Sequence, residues 1–202
     1  MKKQSMLFLL IFSLTSTIAN AGTWGVLGGL NIDTPAIKDT TGALSYTSKA
    51  SSGMGFGISH ESNFLGVVGL EIDALYIQNK FDINIVGVST NTYIQNALQI
   101  PVIARFYLLP IFDIGVGAYY EIGMPGVNVN GVDHTYGDEN MKNRDYGLVG
   151  SLRMRFHIAP RLRLVIDGRY NYGLNELTAD TSTNVSIKNR NIQALAGVSF
   201  AL

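Results

Sequence analysis

From residue 22 onward apolar and polar side chains alternate with a period of two, the pattern of strands that differ on their two faces. The clearest run is residues 112–122, where Phe112, Ile114, Val116, Ala118, Tyr120 and Ile122 share one parity. Asp113, Gly115, Gly117, Tyr119 and Glu121 hold the other. The same reading places Val68, Leu70, Ile72, Ala74 and Tyr76 opposite Glu71 and Asp73, and Leu98, Ile100, Val102, Ala104 and Phe106 opposite Gln99 and Arg105. Leu148, Leu152, Met154 and Phe156 lie opposite Ser151, Arg153 and Arg155, and Leu164, Ile166, Tyr170 and Tyr172 opposite Asp167 and Arg169. A run from Ile192 to Phe200 ends the series. Two glycine-rich runs open it, around Trp24, Val26 and Leu30 and around Met54, Phe56 and Ile58. Eight strands are predicted.

The connections alternate too. Long polar segments over residues 34–52, 81–92, 125–144 and 175–190 alternate with tight turns near Ser62-Asn63, Pro110 and Ala159-Pro160. Long loops on one rim and short turns on the other are the arrangement of an antiparallel up-and-down transmembrane β-barrel. An even strand number puts both chain ends on the short-turn, periplasmic rim. Pro101 falls inside the fourth strand and removes a ladder donor, so a bulge or local break is expected there.

Residues 1–21 stand apart from this pattern. Lys2 and Lys3, an apolar run over residues 6–14 and Ala19-Asn20-Ala21 read as a cleaved secretory signal peptide. The apolar run is about half the ~20 residues of a membrane-spanning helix. The domain organisation expected is therefore a signal peptide, 1–21, and one barrel domain, 22–202. No Cys is present, which excludes disulfides, thiolate metal sites and a Cys nucleophile. With 15 basic and 15 acidic residues the chain has no positive field for nucleic acid. No cofactor is expected.

Alternation alone fits a soluble carrier with its apolar face inside as well as a membrane barrel with that face outside. The polar face separates them. It carries Glu71, Asp73, Arg105, Asp113, Glu121, Arg153, Arg155, Asp167 and Arg169, five acids and four arginines, interleaved with glycines that leave them room. Arginine-rich charge of mixed sign suits an enclosed, mutually paired lumen, because the guanidinium fork makes several directed bonds to carboxylates. A one-residue register slip would turn Arg153, Arg155 and Arg169 to lipid at roughly 2–4 kcal/mol each. Outward aromatics group in two bands, Trp24, Phe112, Phe156 and Phe200 toward the short turns and Tyr76, Tyr120, Tyr146, Tyr170 and Tyr172 toward the long loops.

Motifs for chemistry are sparse. His60-Glu61-Ser62 contains the residue types of a hydrolase site, but neighbours on a strand point to opposite faces and the trio cannot converge. Asp133, His134, Asp138 and Glu139 in the third loop offer oxygen ligands without the register of a calcium loop. No catalytic or metal site is predicted.

Short segments spread over the chain carry a family resemblance: Leu27-Gly28-Gly29-Leu30-Asn31, Leu98-Gln99-Ile100-Pro101-Val102, Ala118-Tyr119-Tyr120, Asp167-Gly168-Arg169-Tyr170 and Leu195-Ala196-Gly197-Val198-Ser199-Phe200. In order and spacing they resemble the porin-family small outer-membrane β-barrel proteins of Gram-negative bacteria. In that family a proline near the start of the fourth strand recurs. Gly197, Phe200 and Leu202 look like the terminal signal read by the barrel assembly machinery, although family members usually end on the aromatic. The resemblance implies a monomeric outer-membrane protein in contact with lipid and lipopolysaccharide, with four long extracellular loops open to a surface ligand. Eight strands leave a bore filled by side chains rather than a wide pore. A narrow channel for water or small solutes, and a lipid-modifying enzyme, are the competing expectations.

Overall fold

The computed structural model describes residues 22–39, 46–64, 66–85, 89–138, 141–178 and 185–201. Among them are twelve strands: β1 (Gly22–Asp33), β2 (Ala36–Asp39), β3 (Tyr46–Phe64), β4 (Val68–Ile85), β5 (Ser89–Leu109), β6 (Phe112–Gly123), β7 (Val127–Val129), β8 (Val132–His134), β9 (Arg144–Ala159), β10 (Leu162–Gly173), β11 (Val185–Lys188) and β12 (Arg190–Ala201). Eight of these are long, and each pairs antiparallel with its neighbours in the order β1, β3, β4, β5, β6, β9, β10, β12. β12 then pairs β1 and closes the ring.

Ring closure has a measurable stagger. Pairing partners lead from Trp24 through His60, Ile72, Val102, Ala118, Leu148 and Tyr172 to Arg190. The Arg190 carbonyl accepts the Thr34 N–H at 2.8 Å, so the circuit returns to the first strand's end ten residues beyond its start. With strands ~4.8 Å apart and a rise of ~3.3 Å per residue, this stagger tilts them by about 40° and sets a backbone radius of about 8 Å. Side chains from opposite walls meet in a cylinder of that width.

The burial pattern follows the alternation. Odd positions of β9, from Asp145 to Arg155, are buried, whereas Tyr146, Leu148, Leu152, Met154 and Phe156 are exposed. Val26, Met54, Phe56, Ile58, Val116, Ile166 and Ile192 add to the same outer belt, Met54 at 65% exposure. The stretch from Tyr146 to Phe156 spans roughly 33 Å along the strand at ~3.3 Å per residue. At this tilt that is about 25 Å along the membrane normal, the height of a lipid-facing apolar band. Trp24 lies opposite Phe200 at the short-turn edge, its ring 4.5 Å from His60, and Phe56 and Tyr76 meet at 5.0 Å higher up.

Pro101 acts as expected. β4 and β5 pair from Val68 to Ile72 and again from Leu75 onward in unchanged register, but Asp73 and Ala74 have no ladder partner opposite Pro101 and Ile100. The first tight turn lies slightly beyond Ser62-Asn63. β3 continues to Phe64, and the turn closes where the Asn63 side chain accepts the N–H of Gly66, whose φ of 73° suits glycine.

The long connections depart from expectation. Residues 81–92 do not form a loop along their length: β4 and β5 remain paired from Phe81↔Tyr93 to Ile85↔Ser89. The period of two persists there with its polarity reversed. Phe81 and Ile83 are buried while Lys80, Asp82 and Asn84 face outward, because beyond the outer tyrosines the exterior is water. The other three segments also carry strands. β2 pairs β11, β7 pairs both β8 and the top of β5, and Met141 bridges Thr178. Phe81, Ile83, Val127 and Met141 form one apolar cluster with Ile37, Tyr93, Val129, Tyr136 and Ile187 packed against it. The long connections thus share a small core of their own.

Reversing polarity on the lipid belt should be costly. Leu152→Arg is expected to lower the unfolding free energy in lipid vesicles by roughly 2–4 kcal/mol, whereas Asn84→Arg, above the belt, should change it by less than about 0.5 kcal/mol. Urea titration of both variants measures the difference.

Candidate functional site

The bore is the chemically dense part of the molecule. Four guanidiniums reach it from three strands, Arg105 on β5, Arg153 and Arg155 on β9 and Arg169 on β10. Arg105 is wholly buried. It grips Glu71 with two bonds, Nε to Oε2 at 3.0 Å and Nη2 to Oε1 at 2.7 Å, and reaches Asp167 at 2.7 Å, Asp113 at 3.5 Å and Ser151 at 2.5 Å. Arg169 donates to Asp73 at 2.6 Å, Glu71 at 2.8 Å and Asp167 at 2.9 Å. Arg153 binds both Asp113 oxygens at 3.1 Å and donates to Glu71 and Glu61. Arg155 pairs with Glu61 at 3.3 Å and Asp113 at 3.0 Å, and its guanidinium lies 4.6 Å from the Tyr107 ring centre.

Glu71 is the hub, accepting from Arg105, Arg153 and Arg169. Five carboxylates face four guanidiniums, and every guanidinium has at least two acidic partners. The network joins β3, β4, β5, β6, β9 and β10 across the interior. Glycine provides the volume it needs. A Cβ on Gly115 would stand 2.6 Å from Ile103 and 3.0 Å from the Arg105 guanidinium, and one on Gly69 would stand 2.0 Å from the Tyr107 hydroxyl.

Of the nine lumen charges expected from the sequence, eight meet in this network. Glu121 does not. It lies nearer the loop rim and accepts from Asn79 Nδ2 at 2.5 Å and Gln99 Nε2 at 3.2 Å, with no arginine partner among the described residues. The stagger of the strands lifts it above the arginines that share its parity. Glu61 was missed as a lumen residue, because it sits beside the tight turn in His60-Glu61-Ser62. Its parity with Gly57 and Ser59 was the available signal. It binds Arg153, Arg155 and the Tyr107 hydroxyl, the last at 2.7 Å.

The hydrolase-like trio is split as geometry requires. His60 Nε2 lies 3.3 Å from Ser62 Oγ, while Glu61 points into the bore. In the third long connection, Asp133 accepts from Asn128 at 2.8 Å. The Thr135 hydroxyl and amide hold the Asp138 carboxyl below its usual range. Glu139 lies outside the described residues, and among those described no three carboxylate or imidazole groups converge on a metal position. Gly197 and Phe200 sit in β12, Gly197 against Leu27 and Phe200 on the outer face against Trp24, and Leu202 lies outside the described residues together with residues 1–21.

The bore also contains apolar side chains, of which the sequence reading placed only Tyr119 on the inward parity. Leu27, Leu75, Ile77, Ala97, Val165 and Leu195 form one buried cluster, and Ile103, Tyr119 and Val149 another. They point inward by parity, where glycines or polar residues were expected to dominate.

A buried charge deprived of its partner is heavily penalised, so the network should respond to single changes more than to isosteric ones. Arg105→Met is expected to cost roughly 3–5 kcal/mol of stability, and Arg105→Lys to recover only part of that, since an ammonium lacks the fork. Ser151→Ala should cost about 1 kcal/mol. Unfolding titrations of the refolded barrel rank the three.

Comparison with known proteins agrees with this architecture. Residues 19–179 match the family described as outer membrane protein beta-barrel domain. None of the curated proteins matches the chain. Among solved structures, the outer membrane protein OprG from Pseudomonas aeruginosa is similar at 14% identity and a TM-score of 0.54, covering 90% of this chain and 96% of that one. Neisserial surface protein A aligns at 14% identity and TM-score 0.49, covering 89% and 96%. Ail of Yersinia pestis aligns at 15% identity and TM-score 0.47, covering 89% and 99%. With the closed ring, the apolar belt and the matched profile together, the chain belongs to the outer membrane protein β-barrel domain family and is a protein of the bacterial outer membrane.

Proposed function

We propose that this barrel is a plugged membrane anchor and that its folded extracellular cap is the part that meets other molecules. The carrying observation is the arginine–carboxylate network, which crosses the bore between six of the eight ring strands at hydrogen-bonding distances. A solute on that path would have to displace bonded guanidiniums. A recess of about 350 Å³ opens at the short-turn rim, and Arg155 and Tyr107, both members of the network, line it. On the other rim the shared apolar cluster holds the long connections against one another, a preorganised surface rather than four separate strings.

In this reading the protein is not an enzyme: among the described residues His60 Nδ1 has no hydrogen-bond partner, so the Ser62–His60 pair lacks the acid of a triad. Its neighbours are lipid and lipopolysaccharide, with a surface ligand on the cap. It inserts as a monomer through the barrel assembly machinery, using the last strand. Nucleic acid has no part in it.

Planar-bilayer recording of the refolded protein should show no steady unitary current. Steady currents that disappear in the Arg153→Ala, Asp113→Ala double variant would overturn the plug. Replacing residues 127–134 by a short Gly-Ser turn should abolish binding to lipopolysaccharide-coated surfaces while the heat-modifiable gel shift of the barrel is retained. Unchanged binding would remove the cap from the role.

A further inference from the structure

Above the arginine network the bore changes character. Asp33, Glu121 and Asp145 are all buried there, and the groups within reach of them are amides, a tyrosine and one another rather than basic side chains. Asn31 Nδ2 donates to both oxygens of Asp33, at 3.1 and 3.0 Å, and to Asn79 Oδ1 at 2.9 Å. Asn79 donates to Glu121, Gln99 donates to the other Glu121 oxygen, and Gln193 donates to Gln99 at 2.9 Å. Asn171 donates to Asn191 at 2.7 Å.

Among the described residues, this layer leaves three amide oxygens without a donor and one amide nitrogen, Asn191 Nδ2, without an acceptor. The amide oxygens of Asn31, Asn171 and Gln193 are buried and find no donor. Their placement is not scattered. Asn31 stands opposite Gln193 across β1 and β12, and Asn171 stands one diagonal step away on β10. Asn31 and Gln193 are each one amide away from Glu121, through Asn79 and Gln99. The flip state of Asn31 is fixed by its surroundings, because its nitrogen already faces the Asp33 oxygens, Asn79 Oδ1 and the Gln78 carbonyl. Buried carbonyl oxygens without donors cost free energy, and a group of them beside uncompensated carboxylates is the donor set of an oxygen-liganded cation.

We propose that the upper lumen binds a hard cation between the Glu121 carboxylate and the amide oxygens of Asn31, Asn171 and Gln193. One carboxylate and several neutral oxygens suit Ca²⁺ or a desolvated Na⁺. Both satisfy the orphaned oxygens in the same way, and both offset the negative charge that Asp33, Glu121 and Asp145 place inside a low-dielectric cylinder. The ion enters as the barrel closes, since the cap and the arginine network bound the layer on either side.

The test is refolding and thermal unfolding of the full barrel in zwitterionic detergent free of lipopolysaccharide. Choline chloride, NaCl, CaCl₂ and MgCl₂ are compared at equal ionic strength. A saturable rise of several degrees in the melting midpoint with Ca²⁺ or Na⁺ over choline is expected, and the arm that saturates at lower concentration names the ion. Glu121→Gln should abolish the rise, and Asp138→Asn, in the exposed loop, should keep it. Should Glu121→Gln fail to refold, Gln193→Met, which removes an orphaned oxygen but no carboxylate, is expected to weaken the saturation at least tenfold. Identical midpoints in all salts would overturn the proposal, as would a rise that survives Glu121→Gln or stays undiminished in Gln193→Met, or one that is lost in Asp138→Asn.

Discussion

The pairing of four buried guanidiniums with five carboxylates inside a closed cylinder is the constraint on which the rest of the structure depends. Lipid surrounds the ring, so an arginine turned outward meets hydrocarbon and one left unpaired inside meets a low dielectric. Both alternatives are expensive, and together they leave a single register. The same requirement explains the glycines: the Arg105 guanidinium occupies the space that a side chain at Gly115 would take. Backbone closure serves it as well, because a ring without edges leaves no open row of ladder groups, apart from the gap opposite Pro101, in a medium that offers no partners.

Polarity along β4 and β5 marks where that medium ends. Below the outer tyrosines the outward parity is apolar, as in Leu70, Ile72, Val102 and Phe106. Above them it turns to Lys80, Asp82 and Asn84, while Phe81 and Ile83 move to the inside. One unbroken pair of strands therefore belongs to two solvents. Its upper part behaves as an ordinary water-soluble sheet, with an apolar interior that recruits Ile37, Val127, Met141 and Ile187 from the other connections. A barrel that is inside-out in the membrane becomes right-side-out above it, and this gives the cap its own core.

The lumen is accordingly stratified rather than uniform. Near the short turns, five carboxylates share four guanidiniums in one network. Toward the long connections, amides and carboxylates predominate, and three amide oxygens and the Asn191 amide nitrogen are left without partners among the described residues. Leu27, Leu75, Ile77 and Leu195 line part of the wall and limit the water that could bridge the rest. Stability near the short-turn rim thus rests on ion pairs, whereas the upper half depends on hydrogen bonds that amides and a tyrosine donate to carboxylates and to one another.

Strand number, the direction of the apolar face, the break at Pro101 and the burial of all nine expected charges were legible in the sequence. Each follows from a period of two and from the cost of placing charge in lipid, and both act on a residue and its nearest neighbours along the strand. The limits of that reading were set by distance in sequence. Glu61 looked like part of a turn, Glu121 like one more member of an arginine network, and residues 81–92 like a loop, because parity says which side a residue faces and nothing about its height. Height is set by the ten-residue stagger of the closed ring, which depends on all eight pairings at once. The tertiary structure alone decided which acid meets which base, and which oxygens are left without a donor, because those contacts cross the bore between strands far apart in the chain.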